Sequence, residues 1–240
     1  MSQQLQFLCE NLPNLLIGFP GNRPGGLCLS IFLALIGVGI GFLIAILFAA
    51  LSDTRKAMVR WFVHCYVDLL RGLPLVLLLL LIHQIVGGRW FGQNLTPRTS
   101  AVIALALYSS AYQIEILRAG LRSVPKQLIE SARVLGASPQ QIYLRIQLRH
   151  AIRVMTPALV GQAISLFKDT SVVIIISVAE LMTVAHIALG SDVTNAPYWV
   201  PLYVLVGLLY FAVAFGLSYG VQRWTQRRQS TDLMHSLVNY

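Results

Sequence analysis

The sequence predicts an all-α membrane protein with five transmembrane helices, and three observations carry that prediction. Of 240 residues, 56% are apolar and only 11% are charged, whereas a soluble domain carries about 25% charge. Uncharged runs of about 20 residues, the length that crosses a bilayer core, recur along the chain. The basic residues gather in alternate connections between those runs. Together these exclude an ordinary soluble enzyme and a disordered chain. Three cysteines (Cys9, Cys28, Cys65) with no C-x-x-C spacing give no basis for a disulfide framework or a zinc site.

Residues 1–26 read as an external segment whose apolar stretch is broken by Pro13, Pro20 and Pro24. With no basic start, a cleavable leader is not expected. The transmembrane domain is placed at 27–226 and a cytoplasmic tail at 227–240. Leu27 to Leu51 lacks any Asp, Glu, Lys or Arg and is the first span. Its Gly37-x-Gly39-x-Gly41 spacing contains a small-xxx-small pair that lets a neighbouring helix of the same chain approach closely. Trp61 to Gly88 is the second span, with Pro74 expected to kink it. Thr99 to Arg118 is the third. Arg153 to Thr183 is the fourth, with Lys168 and Asp169 near its middle. Tyr198 to Val221 is the fifth. Trp90, Phe91, Tyr198, Trp199 and Trp224 fall at span ends, where amphipathic rings favour the interface.

The net charge of +9 would suggest nucleic acid on a soluble chain. Here thirteen of the eighteen Lys and Arg residues fall in segments 52–60, 118–153 and 223–228. The positive-inside rule then places the N-terminus outside and the C-terminus in the cytoplasm. The charge thus reports orientation, and nucleic acid binding has no independent support.

The segment of about 120–150 reads as helix, glycine turn, helix. Ser123-Val124-Pro125 starts the first helix, since proline suits the first turn. Gly136 supplies a left-handed end. Ser138-Pro139-Gln140-Gln141 opens the second with a capping box. By composition the hairpin is either a connector lying on anionic lipid or a docking element for another protein.

At this loop the sequence resembles a known family. Glu130-Ser131-Ala132, with Gly136 and Ile146 following, is similar to the Glu-Ala-Ala loop of ABC importer permeases. The flanks resemble the polar amino acid permease subfamily: Ala111 through Gly120, Ser123-Val124-Pro125-Lys126-Gln127, Lys168-Asp169-Thr170-Ser171, Glu180-Leu181 and Arg71-Gly72-Leu73-Pro74. The similarity runs from about Gly26 to Gln226. Ser131 replaces the commoner Ala. Arg149-His150 stand where the family usually has Pro-Gln, so the second loop helix is expected to run into span four.

The resemblance implies a type I ABC importer permease fold with cytoplasmic coupling helices, in a bacterial inner membrane. It implies two ATPase subunits carrying ATP and Mg, a second permease copy or paralogue, and an extracytoplasmic amino-acid-binding protein. The chain has no phosphate-loop motif, so no cofactor and no ATPase activity are assigned to it. Glu130, Ser131, Ala132, Gly136 and Ser138 are the candidate coupling residues. Lys168, Asp169, Thr170, Ser171, Glu115 and Gln162 are the candidate substrate residues. A cation and a carboxylate beside a local helix break suit the two charges of an α-amino acid, and irregular helix at membrane depth occurs where it lines a cavity. The alternative for Lys168 and Asp169 is a buried ion-pair network with Glu115 or Glu180. Asp68 with Arg71, and Glu115 with Arg118, are spaced to pair along their own helices. His64 and His83 are expected to bond between helices rather than to bind metal. The competing readings are a self-contained secondary amino acid transporter or channel, which lacks the expected internal duplication, and a membrane enzyme, which lacks a reactive constellation.

Overall fold

The computed structural model describes residues 3–21, 24–52, 54, 56–88 and 95–238, the last thirteen as backbone only. Helix α1 (Gln3–Ile17) forms where prolines were expected to break the chain, and Pro13 lies inside it. Phe7 and Leu15 explain why it holds: both are buried in a cluster with Leu181, Ala185 and Leu202. The Phe7 ring also stacks on Tyr198 at 4.9 Å.

Helix α2 (Gly26–Ser52) carries Gly37, Gly41, Ala45 and Ala49 four residues apart, and all four are buried. They face α5 (Pro97–Arg122), which Thr96 caps by accepting the Thr99 N–H at 3.2 Å, with Pro97 in the first turn. A Cβ on Gly41 would lie 3.0 Å from the Ala106 carbonyl oxygen and 3.0 Å from the Ser110 amide nitrogen. Lipid gives no hydrophobic drive between helices, so close backbone approach of this kind holds the pair together. The Gly37/Gly41 pair therefore serves packing within the chain.

The second span is broken rather than kinked. Helices α3 (Ala57–Gly72) and α4 (Leu75–Leu81, continued by a π turn Ile82–Val86) meet at 108°. Proline disfavours helical geometry in the residue before it, and Leu73 is extended, at φ −91° and ψ 135°. Leu75, Leu78, Leu79 and Ile82 then pack in one cluster with Val173 and Ile176.

Past α5 the hairpin forms as the sequence predicts. Helix α6 (Lys126–Val134) ends at Gly136, whose φ of +80° is left-handed. Ser138 and Gln141 form a reciprocal capping box at α7 (Pro139–Gln141). That helix runs through a π turn (Ile142–Gln147) straight into α8 (Leu148–Asp169), as expected from Arg149-His150.

The fourth span differs from the expected Arg153–Thr183. The α-helix stops at Asp169 and tightens to a 3₁₀ segment, Thr170–Ile176. Ser177 takes left-handed geometry (φ 59°), and α9 (Leu181–Gly190) begins afresh with Glu180 as its cap. Lys168 and Asp169 therefore lie at the end of the membrane helix, not at its middle. A 3₁₀ turn (Val193–Tyr198) leads into α10 (Trp199–Val238). Asp192 opens that turn by accepting the Thr194 N–H and hydroxyl, both at 2.8 Å. These bonds hold its carboxyl below the usual carboxylate range. Of the expected interface aromatics, Trp199 and Trp224 are exposed. Trp90 and Phe91 lie outside the described residues.

Candidate functional site

Five of the six candidate substrate residues lie on the last turns of α8 and the start of the 3₁₀ segment that follows it, whereas Glu115 lies on α5. Lys168 is exposed; Asp169, Ser171 and Gln162 are half-buried; Thr170 is fully buried, its hydroxyl bonding the Phe167 carbonyl at 2.7 Å. The same carbonyl also accepts the Thr170 backbone N–H, so the bond reinforces the point where the helix tightens. Among the described residues no salt bridge joins Lys168 or Asp169 to each other or to any other side chain. Asp169 instead faces Tyr108 on α5 closely enough to interact electrostatically.

Tyr108 donates a hydrogen bond to the Tyr112 hydroxyl at 3.3 Å, with ring centroids 5.0 Å apart. The Arg71 guanidinium sits 5.4 Å from the centre of the Tyr112 ring, a cation–π contact. So Arg71 looks across to α5 instead of pairing with Asp68 along its own helix. Arg71, Tyr108 and Tyr112 join the candidate set, and sequence reasoning missed the tyrosines. Their four-residue spacing on one helical face, next to the Gly72-Leu73-Pro74 break, was the available signal.

Two other acidic residues have structural partners. Glu180 is fully buried. Its carboxylate accepts from the Thr183 N–H (2.9 Å), the Thr183 hydroxyl (3.2 Å), Ser30 (3.1 Å) and Tyr210 (2.8 Å). One side chain thereby ties α2, α9 and α10 together. Glu115 pairs with Arg118 three residues on, and Arg118 also reaches His64 Nε2 at 3.2 Å across to α3. His83 Nδ1 lies 3.0 Å from the Ser100 hydroxyl. Both histidines thus bond between helices. The expected ion-pair network of Lys168 and Asp169 with Glu115 or Glu180 is not formed.

On the hairpin, Ala132 is buried and anchors α6. Glu130 and Ser131 face outward beside Gln127, Val134 and Leu135, lining an open cleft of about 520 Å³. Val134 and Leu135 are 87% and 86% exposed. They form an exposed apolar patch at the tip of a charged hairpin. Glu130 makes no salt bridge with Arg133 among the described residues. Ser138 serves its own helix as cap, and Gly136 sets the turn that presents the cleft.

Residues 37–231 match a family described as the binding-protein-dependent transport system inner membrane component. The chain belongs to this family. It is therefore a multi-pass permease subunit of the inner membrane, of the ABC importer class. Members of that class work with ATPase subunits and a permease partner. The chain is 33% identical over 201 residues to the glutamate/aspartate import permease protein GltK of Escherichia coli, covering 80% of this chain and 87% of GltK. It is 34% identical over 204 residues to the L-cystine transport system permease protein TcyB of Bacillus subtilis, covering 85% of each. Among solved structures it resembles an amino acid ABC transporter crystallised with histidines, at a TM-score of 0.78 and 26% identity, over 95% of this chain and 99% of the other.

Proposed function

We propose that this permease carries a polar or charged amino acid between itself and a second permease subunit, past Lys168, Asp169, Arg71, Tyr108 and Tyr112. The observation that carries this reading is the charged pair at the end of α8, neither member of which forms a salt bridge among the described residues. A charge left facing lipid at depth costs about 2.5–3.5 kcal/mol on insertion scales. Lys168 is nevertheless exposed, along a face it shares with Pro157 and Gly161. That face fits a watery passage or a partner subunit, not acyl chains. Asp169 suits a substrate ammonium, and Lys168 and Arg71 suit a carboxylate. Thr170, Ser171 and Gln162 frame the same wall. Glu115 lies on α5 beyond Tyr112 and acts through its pair with Arg118. The names of the relatives support an amino acid as cargo.

Two ATPases on the cytoplasmic side drive the cycle, with the hairpin 123–146 docked into them through Glu130, Ser131, Val134 and Leu135. The N-terminus is outside and the C-terminus inside. An extracytoplasmic binding protein delivers the substrate to the outer segments. Nucleotide-driven closure of the ATPases then tilts the hairpin and alternates access to the passage. The test is uptake and substrate binding by Lys168→Met and Asp169→Asn in the assembled complex. Loss of affinity is expected; assembly with wild-type affinity in both variants would overturn the pocket. For the hairpin, Glu130→Lys is expected to insert normally yet lose coupled transport, and normal uptake would overturn its role.

A further inference from the structure

A second depression, lined by Leu128, Arg145, Ile146, Arg149, His150 and Arg153, opens between α6 and the start of α8, with a volume of about 390 Å³. Arg145, Arg149 and Arg153 are all exposed and recur every fourth residue, the spacing of one helical ridge. None forms a salt bridge among the described residues. The groove shares no residue with the cleft holding Glu130 and Ser131. Leu128 is a quarter-turn of α6 away from that docking face, so the two surfaces look in different directions.

Depth decides what the groove takes. Arg153 is the last cation before fourteen uncharged residues of α8. It therefore marks the edge of the hydrocarbon core, where arginines reach out to the headgroup layer. Arg149 and Arg153 are separated by about 6 Å along the helix, close to the thickness of one headgroup layer, roughly 5–8 Å. Leu128 and Ile146 add an apolar wall beside the three guanidiniums. Guanidinium forks bind phosphate bidentately, and basic pockets on the cytoplasmic side of membrane helices take anionic headgroups.

We propose that this groove binds the phosphodiester headgroup of an anionic phospholipid from the cytoplasmic leaflet, wedged between the coupling hairpin and the base of α8. The single negative charge of the phosphodiester partly offsets three like charges, and the lipid braces the hairpin about a quarter-turn of α6 away from its docking face. The site rests on the inward orientation of the hairpin proposed above. Impermeant maleimide labelling of Gln140→Cys in sealed cells, with the exposed Cys9, Cys28 and Cys65 replaced by Ser, tests that orientation separately, and labelling from outside would overturn it whatever the lipid result.

The experiment purifies the whole complex from vesicles of phosphatidylcholine with phosphatidylglycerol and reads retained lipid by native mass spectrometry. Wild type is expected to retain phosphatidylglycerol over phosphatidylcholine. Retention is expected to fall about fivefold in Arg149→Gln and about a hundredfold in the Arg145→Gln, Arg149→Gln, Arg153→Gln triple variant. Arg122→Gln, outside the groove, should match wild type. Should the triple variant fold poorly, Arg149→Gln against Arg122→Gln decides alone. Equal phosphatidylglycerol retention in Arg149→Gln and wild type overturns the proposal. So does loss of the co-purifying ATPase with lipid retention unchanged, which would make the groove a protein interface.

Discussion

Asp169 and Glu180 are both carboxylates of this membrane domain, eleven residues apart, and their surroundings are opposite. Glu180 is sealed, with four donors converging on it from three helices. Asp169 is half-open and forms no salt bridge among the described residues, with Tyr108 and Lys168 near enough to interact with it electrostatically. A buried acidic group surrounded by donors stabilises a fold; one left without partners at a helix break is available to a ligand. The contrast separates an architectural carboxylate from the one proposed to meet the substrate, within one stretch of sequence.

The comparison can be broken most sharply at Glu180. Glu180→Ala strands the Tyr210 hydroxyl of another helix and the Thr183 N–H of α9, at about 1–3 kcal/mol for each unpaired group. Loss of the folded subunit from the membrane is expected, read as a collapsed monodisperse peak in fluorescence-detected chromatography. A normal peak would make Glu180 dispensable to the fold. Next comes Gly41→Leu, which pushes a side chain into the Ala106 carbonyl and should cost about 1–3 kcal/mol through overpacking. It too should lower yield, and wild-type thermal stability would show that α2 and α5 do not depend on their close approach.

Asp169→Asn should do the converse. The subunit is expected to assemble normally while amino acid uptake drops by about tenfold, the loss of about 1.4 kcal/mol of charge-assisted binding. Destabilisation instead of a transport defect would put Asp169 in the same class as Glu180. The smallest effect is expected from Tyr210→Phe, which removes one of four donors to Glu180 and should lower stability by about 1 kcal/mol. A thermal-shift measurement on the detergent-solubilised subunit checks it, with transport per folded molecule unchanged.

Hydropathy made the first, third and fifth spans legible, because an uncharged run of sufficient length has few other uses. Cap chemistry made the hairpin legible, since proline, serine and a left-handed glycine each act locally. The end of the fourth span was hidden for a different reason. Residues 172–179 are apolar enough to continue a helix, and nothing local announces that Ser177 turns left-handed. That turn is held by distant partners: Gly26 donates its N–H to the Ala179 carbonyl at 2.9 Å, and Ser30 meets Glu180. Helix α1 was obscured by Pro13, whose cost is offset by tertiary burial of Phe7 and Leu15. The cation–π contact of Arg71 with Tyr112 was illegible because it depends on a 108° bend that only three-dimensional packing fixes.

From Pro139 to Ile176 the chain forms one helical run without a break. Its length to Asp169 is about 45 Å, more than the hydrocarbon thickness. Such a beam offers few joints. Pro157 is the one position within α8 that offers no backbone N–H, and so the place where the beam bends first. If the hairpin docks as proposed above, force applied at its tip would reach the carboxylate near the other end as displacement, with its lag and amplitude set by the stiffness around a single proline.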